Sequence, residues 1–122
     1  MRVDEISLTL PADDAFHRVA HLVLGGFAAR LDLTFENLED IELALDTLLE
    51  RCRGDTEITV RVSVEGEELR TVVGPCSADI LRDLERQAGD DLDLRRILAA
   101  VCDGVEVADG HVTLTKRIET SR

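Results

Sequence analysis

The 122-residue chain lacks three features that would each have pointed to a chemistry: paired cysteines, a long apolar run and clustered positive charge. Cys52, Cys76 and Cys102 are odd in number, widely spaced and form no CxxC pair. That argues against both a disulfide framework and a zinc site. Reduced thiols are expected, with Cys52 and Cys102 at helical core positions. The longest apolar run, VAHLVLGGFAA, is broken by His21 and two glycines, far short of the roughly 20 apolar residues that span a bilayer. The opening MRVDEISLTL carries acids where a signal peptide needs a basic start and an apolar centre. A cytoplasmic protein with no membrane partner is therefore expected.

Positive charge is scarce, with 14 Lys and Arg against 26 Asp and Glu for a net charge of -12. Nucleic-acid binders need clustered Lys and Arg to release counterions, so no nucleic-acid partner is expected and a macromolecular partner should be basic. Lys116 is the one lysine; such preference for Arg is associated with GC-rich bacterial genomes.

What is present is a globular balance of 44% hydrophobic and 33% charged residues. A chain of this length fits one domain, 1–122, which buries roughly two-thirds of the surface of its unfolded form. EISLTL alternates Ile6, Leu8 and Leu10 against polar neighbours and stops at Pro11, the pattern of a strand with one buried face. Asp13 or Asp14 can cap a helix to about Arg30, with Phe16, Val19, Ala20, Val23, Phe27 and Leu31 at helical spacing and Leu24 and Ala28 widening the stripe. Gly25 and Gly26 each weaken that helix by roughly 1 kcal/mol relative to Ala; close helix packing is the expected reason for them. Thr34 can cap a second helix, with Glu36 and Asn37 in its first turn and Leu38, Ile41, Leu45, Leu48 and Cys52 on its core face.

EITVRVSV and ELRTVVG, joined at Glu65 and Gly66, predict a hairpin. After Pro75, Ser77 can cap a helix carrying Ile80, Leu81, Leu84 and Ala88, closed by Gly89. Asp90 or Asp91 starts another, with Leu94, Ile97, Leu98 and Val101 buried. VEVADGHVTLTKRI closes the chain as a hairpin turned at Asp109-Gly110, with Val105, Val107, Val112 and Leu114 facing inward and Lys116 continuing their alternation. The expected fold class is α+β, a two-layer sandwich of a mostly antiparallel five-stranded sheet with helices on one face.

Three stretches carry a resemblance. RVAHLVLGGFAARLDLTFENLEDIELAL, TFENLEDIELALDTLLERC and ILAAVCDGVEVADGHVTLTKRI, in that order, resemble the opening helices, the catalytic helix and the closing helix and hairpin of the GHKL (histidine-kinase-like) ATPase domain, within it the bacterial anti-sigma-factor serine kinases. The resemblance covers nearly the whole chain. It implies the two-layer fold, an acid acting as general base at Asp46 and, four positions on, a magnesium-binding Asn at a position held here by Glu50. Glu adds a charge and a longer arm where Asn offers a neutral carbonyl and an amide. The family's Asp-x-Gly-x-Gly loop, whose Asp reads adenine, is matched by VVGPCSAD, with Gly74 near the Asp position and no second glycine. Its phosphate-cradling second glycine box is matched by DDLDLRR, with Asp91 and Asp93 in place of glycines whose backbone could approach an anion.

The second helix region holds seven acids from Asp32 to Glu50 and no Lys or Arg, with Glu39, Glu42, Asp46 and Glu50 along one side. The default for such a run is a solvated face. The alternatives are a docking surface for a basic protein, with Glu39 and Glu42 exposed in it, and magnesium catalysis by Asp46 and Glu50, which needs phosphate loops the sequence lacks. His17 and His21, four apart with Asp13 and Asp14 one turn earlier, could share a metal-binding face, but no third strong ligand has the right spacing. His111 is expected as a strand residue at the final turn. GPCSAD reads as a strand-to-helix connection rather than a cysteine nucleophile.

No catalytic residue, metal or cofactor is expected. Two functions stay open: a regulatory binding module that holds a basic partner such as a sigma factor or an anti-sigma antagonist, or an active serine kinase with an atypical nucleotide site. A homodimer is a further expectation, on the ground that Leu24 and Ala28 extend the first helix's apolar arc beyond what one sheet face covers.

Overall fold

A computed structural model describes residues 4–11, 14–51, 57–76 and 94–118. Its elements run β1 (Asp4–Pro11), a 3-10 turn (Asp14–Phe16), α1 (His17–Arg30), α2 (Phe35–Arg51), β2 (Glu57–Glu65), β3 (Glu68–Gly74), α3 (Leu94–Val101), β4 (Gly104–Ala108) and β5 (His111–Arg117). The strands form one sheet in the order β1-β2-β3-β5-β4, with every neighbouring pair antiparallel. This is the expected α+β architecture. The helix expected from Ser77 and the core position of Cys52 lie outside the described residues.

Period-two patterning orients the sheet. Leu10 of β1, Ile58, Val60 and Val62 of β2, Leu69 and Val73 of β3, and Val112 and Leu114 of β5 are buried in one core with residues of all three helices. The intervening residues, Thr59, Arg61 and Ser63 of β2, Glu68 and Arg70 of β3, and Thr113 and Arg117 of β5, line the opposite, polar face, as strand alternation requires. Thr9 and Thr59 share a 2.9 Å hydroxyl hydrogen bond across that face. Leu45, Leu48, Leu69, Val73, Leu98 and Val112 are at most 1% exposed, and burial stabilises each such side chain by about 1.5–3 kcal/mol.

Turn chemistry matches the sequence. Gly66 (φ 65) opens the β2–β3 turn, and Asp109 (φ 52) with Gly110 (φ 79) supplies the two positive φ angles of a tight β4–β5 hairpin. At the end of α1 the Leu33 N–H donates to the Ala28 carbonyl and the Asp32 N–H to that of Ala29, while Asp32 adopts a left-handed φ of 56. This Schellman arrangement stops α1 and reverses the chain. The Thr34 hydroxyl then accepts the Asn37 N–H at 3.2 Å and caps α2, so α1 and α2 run back to back.

The first helix departs from expectation in three ways. The α-helix begins after the 3-10 turn, with Phe16 at its N-cap and no side-chain cap bond; Asp14 sits in that turn and Asp13 is not among the described residues. The buried face is Ala20, Leu24, Phe27 and Ala28, whereas Phe16 and Val19 remain 37% and 38% exposed. The cause is α2, which lies beside α1 and rotates its buried arc toward the helix pair. Leu24 and Ala28 are each only 2% exposed, which removes the ground on which a homodimer was expected. Finally, a Cβ built on Gly25 or Gly26 meets nothing within 4 Å, so close helix packing does not explain these glycines.

Candidate functional site

The α1–α2 seam concentrates the acids singled out in the sequence. Because Leu31 to Thr34 reverse the chain, His21 of α1 comes to lie opposite Glu42 and Asp46, which are four apart and share one side of α2. Its Nδ1 lies 2.6 Å from Glu42 Oε2 and its Nε2 lies 2.5 Å from Asp46 Oδ1. An ionised carboxylate only accepts hydrogen bonds, so with both acids ionised it is the doubly protonated imidazole that satisfies both contacts. Partial burial alone lowers the His21 pKa, but the hydrogen bonds and charges of Asp46 and then Glu42 outweigh it, and the group titrates above its ordinary 6.5. The three side chains retain 27–38% exposure, so this is a half-buried clamp between two helices.

The clamp revises one expectation. Glu42 is not a free surface acid: it is half-buried and ion-paired. His21 does not join His17 as a metal ligand, because its nitrogens point to carboxylates on opposite sides of the ring. Among the described residues no group of three or more His, Cys, Asp or Glu is arranged to hold a metal ion.

The other sequence-marked positions are dispersed. Glu39 and Glu50 are exposed on α2. Asp40, on another side of that helix, accepts a 2.9 Å ion pair from Lys116 Nζ of β5. Lys116 thus continues the inward alternation of β5, its side chain 16% exposed and its charge neutralised by α2. Cys102, just past α3, is half-buried, and burial pushes its thiol up to about 11 despite the opposing Lys116 cation. Cys76 is half-buried, donating its thiol to the Val73 carbonyl at 3.5 Å and its N–H to Gly110.

Gly74 ends β3 beside His111. A Cβ there would come within 2.4 Å of the His111 ring, and strand alternation directs it to the polar outer face, away from α2. His111 is held by its Nδ1–H donating to the Asp109 carbonyl at 2.9 Å. Asp91 and Asp93 lie outside the described residues.

Asp46 and Glu50 are the described positions to which the resemblance assigns base and metal roles. One oxygen of Asp46 accepts from His21, and Glu50 carries a charge where the resemblance places a neutral amide. An aspartate at Gly74 would meet the His111 ring.

Sequence reasoning missed the clamp and the Lys116–Asp40 pair. The signal for the clamp was present: two acids four apart beyond a tight turn, facing a histidine about as many residues before it.

No protein-family model matches the sequence, and neither does any curated protein sequence. Among solved structures, the RsbU and RsbW domains of Rv1364c from Mycobacterium tuberculosis superpose with a TM-score of 0.69 at 16% identity, over 94% of this chain. The two share a fold. The chain spans 32% of that structure's length, about a third, and at 16% identity the likeness concerns the fold alone. No helix among the described residues is long and apolar enough to cross a membrane.

Proposed function

We propose that this chain is a regulatory protein-binding module, an anti-sigma-type scaffold that has lost its ATP chemistry and acts by holding a basic protein such as a sigma factor or an anti-sigma antagonist. The observation that carries the reading is the commitment of Asp46 to His21. In the family that the sequence resembles, that position supplies the general base. A base needs a lone pair aimed at the substrate proton; one oxygen of this carboxylate is held by His21, which turns the side chain toward the neighbouring helix. Glu50 at the metal position and the two aspartates at the phosphate turn point the same way, each for a separate contact. The superposition with a structure containing an RsbW domain fits the anti-sigma assignment, and the net charge of -12 fits a basic partner.

The test is thermal unfolding with and without millimolar magnesium-ATP. A ligand at a hundred times its dissociation constant stabilises a fold by about 2.7 kcal/mol, which on a domain of this size raises the melting temperature by several degrees. No shift is expected. A shift accompanied by phosphate transfer to a serine of a bound partner would overturn the reading and restore a kinase. Glu50→Asn alone is expected not to recover nucleotide binding, since Asp46 remains clamped and the glycine loops are still missing.

A further inference from the structure

The acids of α2 divide into two sets. Asp40 is neutralised by Lys116, and Glu42 and Asp46 by His21. Glu36, Glu39 and Glu50 are exposed and form no ion pair with any described residue. Among these three stand Phe35, 73% exposed, and Leu43, 50% exposed. At 3.6 residues per turn, positions 35, 36, 39, 43 and 50 fall within an arc of about 100°, and Phe35 and Leu43 are separated by about 12 Å along the axis. The large exposed apolar side chains of the described residues all belong to the two helices and the turn leading into them: Phe16, Val19, Leu22, Phe35 and Leu43. The polar sheet face contributes none.

From this geometry we infer that the outer stripe of α2, with Phe35 and Leu43 as apolar anchors and Glu36, Glu39 and Glu50 as its charged rim, docks a basic amphipathic helix of a partner protein. This deepens the reading of the chain as a protein-binding module and rests on it. The occupant follows from charge and spacing. Residues 31–50 contain no Lys or Arg, so a cationic partner meets no repulsion from this segment, and the rim carboxylates offer it counter-charges. Two apolar side chains seven or eight apart on one face of a partner helix match the axial separation of Phe35 and Leu43. Lys and Arg flanking that face then meet the rim, steering encounter and fixing register, while the apolar anchors slow dissociation.

The probe is a synthetic peptide of about 18 residues, long enough to hold helical structure, with leucines seven apart on one face and Lys and Arg beside them. Its control has the same composition scrambled, so that charge is kept and the apolar face is lost. Binding is followed by fluorescence anisotropy and mapped by amide shifts. The expected result is saturable binding that moves α2 amides and weakens as salt rises from about 50 to 300 mM, where screening shortens the reach of exposed charges. Phe35→Ala, Leu43→Ser and Glu39→Lys should each weaken it about tenfold or more with unchanged melting temperature, and Glu106→Lys, the same charge reversal on the polar sheet face, should not.

Equal binding of the scrambled peptide, equal loss with Glu106→Lys, or no binding at millimolar peptide would each overturn the inference. Shifts confined to the outer sheet face would overturn this placement and leave the protein-binding reading standing. Stabilisation by magnesium-ATP would overturn the loss of ATP chemistry without moving the docking face.

Discussion

Replacing His21 with Ala removes the clamp between α1 and α2, and its effect can be worked out from the geometry. Two charge-assisted hydrogen bonds at 2.5 and 2.6 Å are lost. At roughly one-third exposure solvent screens them, so each is worth about 0.5–1 kcal/mol. Removal of the cation also leaves Glu42 and Asp46 as like charges four apart on one helix, which costs roughly 0.2–0.5 kcal/mol more. The sum is about 1–2.5 kcal/mol, or a melting temperature lower by roughly 4–10 °C for a domain of this length.

The pH dependence gives the sharper test. The folded-state pKa of His21 is raised above 6.5, so the folded protein holds this proton more tightly than the unfolded chain. The stabilisation is therefore fully present below about pH 6.5 and is lost as pH rises through the raised folded value. Urea unfolding of the wild type and His21→Ala from pH 5.5 to 8.5 should show a stability difference that is largest at the acid end and shrinks toward the alkaline end. It should not vanish there, since neutral imidazole still donates one hydrogen bond. His21→Gln, which donates without a charge, should recover part of the difference and none of its pH slope. A His21→Ala variant that unfolds at the wild-type urea concentration across this range, or a difference that grows with pH, would refute the charged clamp.

Gly26→Ala should raise stability by about 1 kcal/mol in thermal or urea unfolding, because an added Cβ meets nothing within 4 Å and helix propensity improves; destabilisation would mean that the space is used. Lys116→Ala should cost about 1–3 kcal/mol, since it strips Asp40 of its partner and removes a side chain that is only 16% exposed, and Lys116→Met should recover part of that by keeping the packing. With its thiol pushed up to about 11 by burial, Cys102 as the sole cysteine should react with a thiol reagent at pH 8 about a hundredfold more slowly than a free thiol; labelling at the free-thiol rate would show that it is not buried in solution.

Local patterning carried most of the fold. Alternation in EISLTL and EITVRVSV, the Asp109-Gly110 turn and the Thr34 cap each specify their element through nearest-neighbour physics, and each appears where its residues require it. The first helix was less legible for the opposite reason. Its stripe from Phe16 to Leu31 is wide enough to fit more than one burial direction, and only the position of α2 selects Leu24 and Ala28 for the interior over Phe16 and Val19. The site was legible as composition but not as pairing. Seven acids between Asp32 and Glu50 look alike along the chain, yet a histidine from α1 and a lysine from β5 take three of them, and those partners stand 21, 25 and 76 residues away. What is free on α2 follows only after those long-range pairs are known.

The most direct measurement of the central claim is a titration of the isotope-labelled protein with magnesium-ATP at constant ionic strength, followed through the amide signals of Asp46 and Glu50 and the ring signals of His21. The account predicts that these signals stay in place up to millimolar nucleotide, with His21 still bound to Asp46. Saturable movement of the α2 amides, with release of His21 from Asp46 as nucleotide binds, would contradict it and return Asp46 to the role of a catalytic base.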